Sequence, residues 1–135
     1  MTPCPSEVWT FLSPTAPRGE LKHKHHLCIG SDGLFLFVST HRHRRFDHRG
    51  VMVIRNSEVP FLPPTDSGRS EISCTTVIER RLPDPTVPKR NPRGMVERRL
   101  MAHLLQYVRA SRQLTDDERD AILDHLYDHY GMDFG

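Results

Sequence analysis

Short apolar blocks alternate with turn residues over the first 82 positions of the chain. The blocks are rich in β-branched and aromatic residues, which favour strands. Five strands are predicted in this way: Glu7–Leu12, Leu27–Gly30, Leu34–Thr40, Val51–Arg55 and Glu71–Glu79. The run Ser31-Asp32-Gly33 between the second and third strands is typical of a hairpin turn. Several short strands at this spacing predict a small barrel or a strongly bent sheet.

The alternation of side chains within these strands also predicts a core. Residues two positions apart in a strand lie on the same face, so Phe35 and Phe37 are expected on one face and Leu34 and Leu36 on the other. The residues expected to be mainly buried are Trp9, Phe11, Cys28, Phe35, Phe37, Ile72 and Val77.

Prolines mark the end of the β-rich part of the chain. All 11 prolines lie at or before Pro92, and they are dense between Pro83 and Pro92. Because proline interrupts both helices and strands, residues 83–91 are predicted to be an extended connector. The predicted organisation is therefore a β-barrel over residues 1–82, this connector, and a helical hairpin over residues 92–135.

Two amphipathic helices are predicted after the connector. In the first, apolar residues recur every four positions, as one buried helix face requires: Val96, Leu100, Leu104 and Val108. Asn91 is expected to cap this helix and Pro92 to occupy its first turn. The second helix is predicted to begin at the capping box Thr115-Asp116-Asp117-Glu118 and to end at Gly131. Its apolar stripe consists of Ile122, Leu126 and Tyr130.

Charge is distributed unevenly along the 135 residues. The formal net charge is only +2, but residues 1–99 carry 16 basic and 10 acidic side chains, whereas residues 100–135 carry 3 and 7. A basic body with an acidic tail suggests that the body binds a polyanion. An arginine-rich surface that is merely solvated explains the same numbers equally well.

Several classes of protein are not expected from this sequence. No run approaches the ~18 apolar residues that a membrane span needs. The segment Met1–Ser13 lacks the basic and apolar regions of a signal peptide. The three cysteines, Cys4, Cys28 and Cys74, are too few and too scattered for a disulfide framework or a zinc ribbon. These observations predict a cytoplasmic protein.

Histidines are concentrated in one part of the chain, between His23 and His48. Lys24, Arg42 and Arg44 are interleaved with them and would repel a divalent cation, so a metal site is not expected. Histidine is suited to general acid–base catalysis because its pKa lies near neutrality. The simplest alternative is that these histidines are polar residues beside a polyanion site. The common enzyme signatures are absent from the sequence.

The β-rich body resembles the MazF/PemK-like toxin family through the order and spacing of five short segments. These segments are Ser6–Phe11, Gly19-Glu20 with the stretch up to Ser31, Val38–Thr40, Val59–Leu62 and Gly68–Leu82. Members of the family are SH3-like barrels that cut single-stranded RNA without a metal ion and form homodimers paired with an antitoxin. The resemblance implies a mainly β, SH3-like barrel of the MazF/PemK type. In this chain the predicted helical hairpin follows the barrel, and its second helix extends beyond the minimal body of the family. It implies no cofactor.

The resemblance also implies a set of site residues. The catalytic arginine of the family aligns with His25, and its catalytic threonine or serine aligns with Thr40. His25 can act as a general base on a ribose 2′-hydroxyl, and His41 or His43 can protonate the leaving 5′-oxygen. The expected catalytic residues are His25, Thr40 and His41. The expected substrate-binding residues are Lys24, Arg42, Arg44 and Arg69.

These assignments predict that the site residues line one groove, and other functions remain as alternatives. His25, Thr40 and at least two of Lys24, Arg42 and Arg69 are expected to line it. The predicted function is a metal-independent endoribonuclease toxin of a toxin–antitoxin system, with single-stranded RNA and a cognate antitoxin as partners. The alternatives are a non-catalytic nucleic-acid- or protein-binding module on the same barrel, and an unrelated β-rich adaptor. The acids of the second helix are expected to cover the groove or to bind a partner.

Overall fold

The computed structural model describes residues 2–15, 20–39, 50–82 and 87–135. Six strands and two α-helices form in these ranges. The strands are β1 (Glu7–Thr15), β2 (Glu20–Gly30), β3 (Leu34–Ser39), β4 (Val51–Arg55), β5 (Arg69–Glu79) and β6 (Gly94–Met95). The helices are α1 (Arg98–Ala110) and α2 (Asp116–Tyr130). The protein is therefore mainly β with two C-terminal helices, as the sequence predicts.

All six strands belong to one curled antiparallel sheet with the order β4-β5-β3-β2-β1-β6. The predicted hairpin between β2 and β3 is confirmed, and the Gly33 N–H donates to the Gly30 carbonyl at 3.0 Å. Gly33 has a φ of +106°, a conformation that glycine adopts without steric cost.

Residues 20–26 lie outside the strands predicted from the sequence, in which the second strand begins at Leu27. They extend β2, which pairs with β1 over eight consecutive positions from Val8↔Leu27 to Thr15↔Glu20. Apart from Leu21, the residues of this part of β2 are polar, so it lacks the apolar alternation by which strands are predicted. Its backbone is nevertheless held in an extended form by the β1 ladder, which pairs one of its two edges.

The sheet has two different faces. The face that includes Val8, Leu27 and Leu36 packs in one core with α1 and α2, and we call it the helix face. The opposite face includes Trp9, Phe11 and Phe35, which form a second buried cluster with Cys28, and we call it the aromatic face. The predicted separation of Phe35 from Leu34 and Leu36 is confirmed. Five of the seven residues predicted to be in the core are buried, whereas Phe37 and Val77 are half-buried.

Helix α1 begins at Arg98, with Glu97 as its N-cap, so the prediction that Asn91 and Pro92 start this helix is wrong. Gly94 and Met95 form β6 and pair with β1, and the Asn91 side chain bonds to the backbone of Thr10. The competing interactions with β1 thus delay the start of the helix by about two turns. The predicted stripe is buried throughout, at Val96, Leu100, Leu104 and Val108.

The predicted ends of α2 are confirmed. Thr115 Oγ1 accepts a hydrogen bond from the Glu118 N–H at 3.1 Å, and Glu118 Oε1 accepts from the Thr115 N–H at 2.9 Å. This reciprocal pair is the capping box that the sequence predicts. At the other end the Gly131 N–H donates to the Tyr127 carbonyl at 2.8 Å.

Helix α2 packs at the β2–β3 turn. His125 Nε2 lies 3.3 Å from Asp32 Oδ1, and the His125 ring lies against Gly30. Gly30 is separated from His25 by about 17 Å of extended strand. These contacts of His125 therefore lie at the opposite end of β2 from His25. Within the described ranges, neither helix has the length and apolar character needed to cross a membrane.

Candidate functional site

Three of the seven predicted site residues belong to the part of the chain that the structure describes. Lys24 and His25 lie on β2, and Arg69 is the first residue of β5. The other four lie outside the described residues: Thr40, His41, Arg42 and Arg44. The predicted alternative acid, His43, also lies outside them.

Lys24 and His25 are neighbours in the chain, but their side chains lie on opposite faces of the sheet. The Lys24 Nζ lies 5.4 Å from the centroid of the Phe37 ring, and Phe37 also contacts the ring of His26 on the aromatic face. His25 is paired with Thr10 of β1 and shares the parity of Leu27, which places it on the helix face. Lys24, one of the three cations of which at least two were expected beside His25, therefore does not share a face of β2 with it.

Arg69 is distant from His25 in the sheet. It pairs with Arg55 at the β4 edge, whereas His25 pairs with Val38 of β3. By the alternation along β5, Arg69 shares the face of Ser73, which pairs with Phe37. Arg69 thus lies on the same side of the sheet as Lys24, and the opposite side from His25.

On the helix face, His25 lies beside a cationic side chain that the sequence analysis did not identify. The Arg93 Nε donates a hydrogen bond to Thr10 Oγ1 at 3.1 Å, and Thr10 is directly opposite His25 in the β1–β2 ladder. Burial lowers the pKa of His25 from its ordinary value of 6.5, and the positive charge of Arg93 lowers this pKa further. We refer to Thr10, His25 and Arg93 as the His25 cluster.

Arg93 is held at this position by residues 87–93, which cross the open edge of β1 and which we call the strap. The Asn91 side chain acts as a neighbouring strand: its Oδ1 accepts from the Thr10 N–H at 2.7 Å, and its Nδ2 donates to the Thr10 carbonyl at 2.7 Å. Two residues later, the Arg93 N–H donates to the Val8 carbonyl at 2.8 Å. At the other end of the strap, Val87 packs on the cluster of the aromatic face. The strap therefore fixes Arg93 through the backbone of β1.

The strap adds further positive charge near the His25 cluster. Lys89 and Arg90 occupy a turn immediately before Asn91, and both are exposed. Both residues lie within four positions of Arg93 in the chain. Positively charged side chains that contact phosphates supply the sequence-independent part of nucleic-acid binding.

His26, the next residue of β2, has a structural role. Its ring is buried on the aromatic face and stacks on Phe11, with the ring centroids 3.7 Å apart. The Nδ1 faces the Trp9 carbonyl at 3.3 Å and therefore carries the proton, so the Nε2 accepts from the Ser13 hydroxyl at 3.0 Å. Burial lowers the pKa of His26 to about 3. The ring is thus a neutral, fully hydrogen-bonded part of the core.

Two of the three cysteines, Cys28 and Cys74, are buried, and Cys4 is exposed. Burial raises the pKa of Cys28 and that of Cys74 to about 12, so both thiols are protonated and are poor nucleophiles. Among the described residues, no group of three or more histidine, cysteine or carboxylate side chains is arranged to hold a metal ion.

No local motif in the sequence marks Thr10, Asn91 or Arg93 as a site residue. Arg93 is one of several basic residues in its segment, and Asn91 has the sequence context of a helix cap. Their roles arise from pairing with β1, which is more than 80 positions away in the chain.

Comparisons of this chain with models of protein families, with curated proteins and with solved structures give no match. Function is therefore inferred from the chemistry of the site.

Proposed function

We propose that this protein is an endoribonuclease that binds single-stranded RNA and cleaves it at the His25 cluster without a metal ion. The observation that carries the proposal is the arrangement of a half-buried imidazole beside a fixed guanidinium. The base is His25, whose lowered pKa keeps the imidazole neutral at pH 7. The guanidinium is Arg93, held by Thr10 Oγ1.

This pair provides two functions that RNA cleavage requires. A neutral imidazole can accept the proton of a ribose 2′-hydroxyl, whose oxygen then attacks the adjacent phosphorus. A guanidinium always carries its charge and presents several donors to phosphate oxygens, so Arg93 can stabilise the negative charge of the phosphorane. In this reaction a protein side chain takes the role that a metal ion has in many nucleases.

The strap supports binding of the RNA backbone. Lys89 and Arg90 are exposed and lie within a few residues of Arg93, so they can contact phosphates beside the one that is cleaved. Single-stranded RNA fits better than a duplex, because the 2′-hydroxyl of a flexible strand can align with its own phosphate.

The finer fold assignment and the biological role belong to the same proposal. The segments that resemble the MazF/PemK-like family favour an SH3-like barrel, a homodimer and a cognate antitoxin. This chain has His25 where the family has its catalytic arginine. RNA cleavage is compatible with this difference if Arg93 of the strap provides the positive charge that the catalytic arginine provides in the family. A protein encoded next to this one that suppresses its RNA cleavage would support the toxin role.

The proposal is tested by cleavage of single-stranded RNA in the presence of EDTA. We expect His25→Ala to lower the cleavage rate by roughly 10²–10⁴-fold, the usual contribution of a positioned acid–base group. The matched control is His103→Ala, which removes an exposed histidine from α1. Both variants are purified in the same way and compared by thermal unfolding. Equal rates for the wild type, His25→Ala and His103→Ala would contradict the proposal, because they would point to a contaminating nuclease.

A non-catalytic nucleic-acid-binding module is the second candidate, and the aromatic face favours it. There the Lys24 ammonium lies over the half-buried Phe37 ring, a combination that can hold a base and its phosphate. This candidate predicts RNA binding that Lys24→Ala weakens, and no cleavage from pH 5 to 9 by any variant. The endoribonuclease predicts instead that Lys24→Ala still cleaves RNA.

A further inference from the structure

His23 lies on the same face of β2 as His25, two residues earlier in the chain. The β1–β2 ladder is continuous through both positions, with Leu12 opposite His23 and Thr10 opposite His25. Alternate residues of a strand share one face, and their Cα atoms are about 7 Å apart. His23 is exposed, whereas His25 is half-buried beside Arg93. The helix face of β2 thus presents two histidines whose surroundings differ.

RNA cleavage through a 2′-hydroxyl requires an acid as well as a base. The attacking 2′-oxygen and the leaving 5′-oxygen lie on opposite sides of the phosphorus, so the two catalytic groups must flank the phosphate. Two histidines separated by one residue on an extended strand can do this, with Arg93 of the strap hydrogen-bonded to Thr10, the residue opposite His25. The 5′-oxygen is a poor leaving group unless it is protonated as its bond to phosphorus breaks.

We propose that His23 is the general acid of this reaction, with His25 as the base; this inference rests on the proposed function. His25 takes the proton from the 2′-hydroxyl, and the 2′-oxygen forms a bond to phosphorus. The bond between phosphorus and the 5′-oxygen breaks, and the ring N–H of His23 donates its proton to that oxygen. The products are a 2′,3′-cyclic phosphate and a 5′-hydroxyl. Water then returns the proton to His23 and removes the one on His25.

The different surroundings of the two histidines fit these roles. The charge of Arg93 disfavours a second positive charge on His25, so His25 is the group that begins the reaction without a proton. His23 is exposed, so solvent can protonate it between turnovers. The neighbouring Lys22 and Lys24 alternate to the other face of β2 and do not compete with His23 for the phosphate.

Two substrates with different leaving groups distinguish the role of the general acid from that of the general base. The two substrates are a ribonucleoside 3′-phosphodiester with an ordinary 5′-nucleoside and one with p-nitrophenol as the leaving group. The p-nitrophenolate ion leaves without a proton, so its departure needs no acid. We expect His23→Ala to slow cleavage of the ordinary substrate by about 10²-fold or more and to leave the rate for the aryl substrate within a few-fold of the wild type. His25→Ala should slow both.

The outcomes distinguish failure of this inference from failure of the proposed function. A loss for His23→Ala that is equal on the two substrates, or no loss on the ordinary one, would overturn the role of His23 while RNA cleavage by the protein stands. A wild type that cleaves neither substrate would overturn both. His23→Gln serves as a second variant that keeps the size and polarity of the side chain, and His103→Ala is the matched control.

Discussion

The guanidinium of Arg93 donates a hydrogen bond to the hydroxyl of Thr10, although the two residues are 83 positions apart in the chain. The contact brings a permanent positive charge to the residue that faces His25 across the β1–β2 ladder. It is also the contact that orients this charge, because a guanidinium anchored at its Nε presents its remaining donors in a defined direction. The candidate site therefore depends on the strap as much as on β2.

Substitutions of Arg93 and of Thr10 should distinguish the effect of the guanidinium charge on catalysis from the effect of its orientation. We expect Arg93→Ala to lower kcat for RNA cleavage by about 10²–10³-fold, as loss of a donor to developing charge does in other enzymes. Thr10→Val keeps the shape of the side chain but removes the anchor, so kcat should fall by roughly tenfold, the value of one hydrogen bond, with little change in KM. Thr76→Val, at an exposed position of β5, is the matched control. An unchanged kcat for Arg93→Ala would exclude Arg93 from the reaction.

The pairing of Asn91 with Thr10 predicts that the strap stabilises the fold. Asn91→Ala leaves the N–H and carbonyl of Thr10 without their partners at the edge of β1, and we expect the free energy of unfolding to fall by about 1–3 kcal/mol. Asn91→Asp keeps the acceptor for the N–H of Thr10 but cannot donate to its carbonyl, so the free energy of unfolding should also fall in this variant. Urea unfolding measures both, with Gln113→Ala as the exposed control. An Asn91→Ala variant as stable as the wild type would show that the strap is not held by this pair.

The lowered pKa of His25 predicts the pH dependence of cleavage. A general base is active when it is deprotonated, so kcat/KM should fall as the pH drops through the pKa of His25. Burial and the charge of Arg93 place this pKa below 6.5, and the acidic limb of the profile should therefore lie below pH 6.5. Arg93→Met removes the second cause and should move that limb towards higher pH. A wild-type limb at or above pH 6.5, or a limb that does not move in the variant, would contradict the assignment of His25 as the base.

The buried ring of His26 predicts that the protein loses stability in acid. In the unfolded chain this histidine binds a proton below about pH 6.5, whereas in the folded protein it stays neutral down to about pH 3. Between these values the unfolded state binds more protons, so stability decreases as the pH falls, by up to about 1.4 kcal/mol per pH unit from this group.

The variant His26→Phe tests this source of acid sensitivity. It keeps a ring stacked on Phe11 but cannot bind a proton, and it leaves the Ser13 hydroxyl without its partner. We expect it to be less stable than the wild type at pH 7 and to lose stability less steeply between pH 6.5 and pH 4, as measured by urea unfolding at each pH. A slope identical to that of the wild type would assign the acid sensitivity to other groups.

Much of the fold could be predicted because its signals are local. The apolar blocks of β1, β3, β4 and β5 and the turn at Gly33 are visible within a few residues, and the capping box of Thr115 and Glu118 spans one helical turn. The polar half of β2 was missed for the same reason, since a strand without apolar alternation has no local signal. Because residues 20–26 are extended, the alternation of side chains along β2 places Lys24 and His25 on opposite faces of the sheet.

The sequence alone determined that β-strands precede two amphipathic helices and that the excess of basic charge lies in residues 1–99. Those properties follow from the nature of side chains at spacings of two, three or four residues, which are set by the geometry of strand and helix. Only the tertiary structure decided that Arg93 meets Thr10, that Asn91 substitutes for a strand beside β1, and that His23 and His25 share the helix face. Such contacts depend on the register of strands and on the path of the strap, to which residues far apart in the chain contribute together, and no short segment specifies that register by itself.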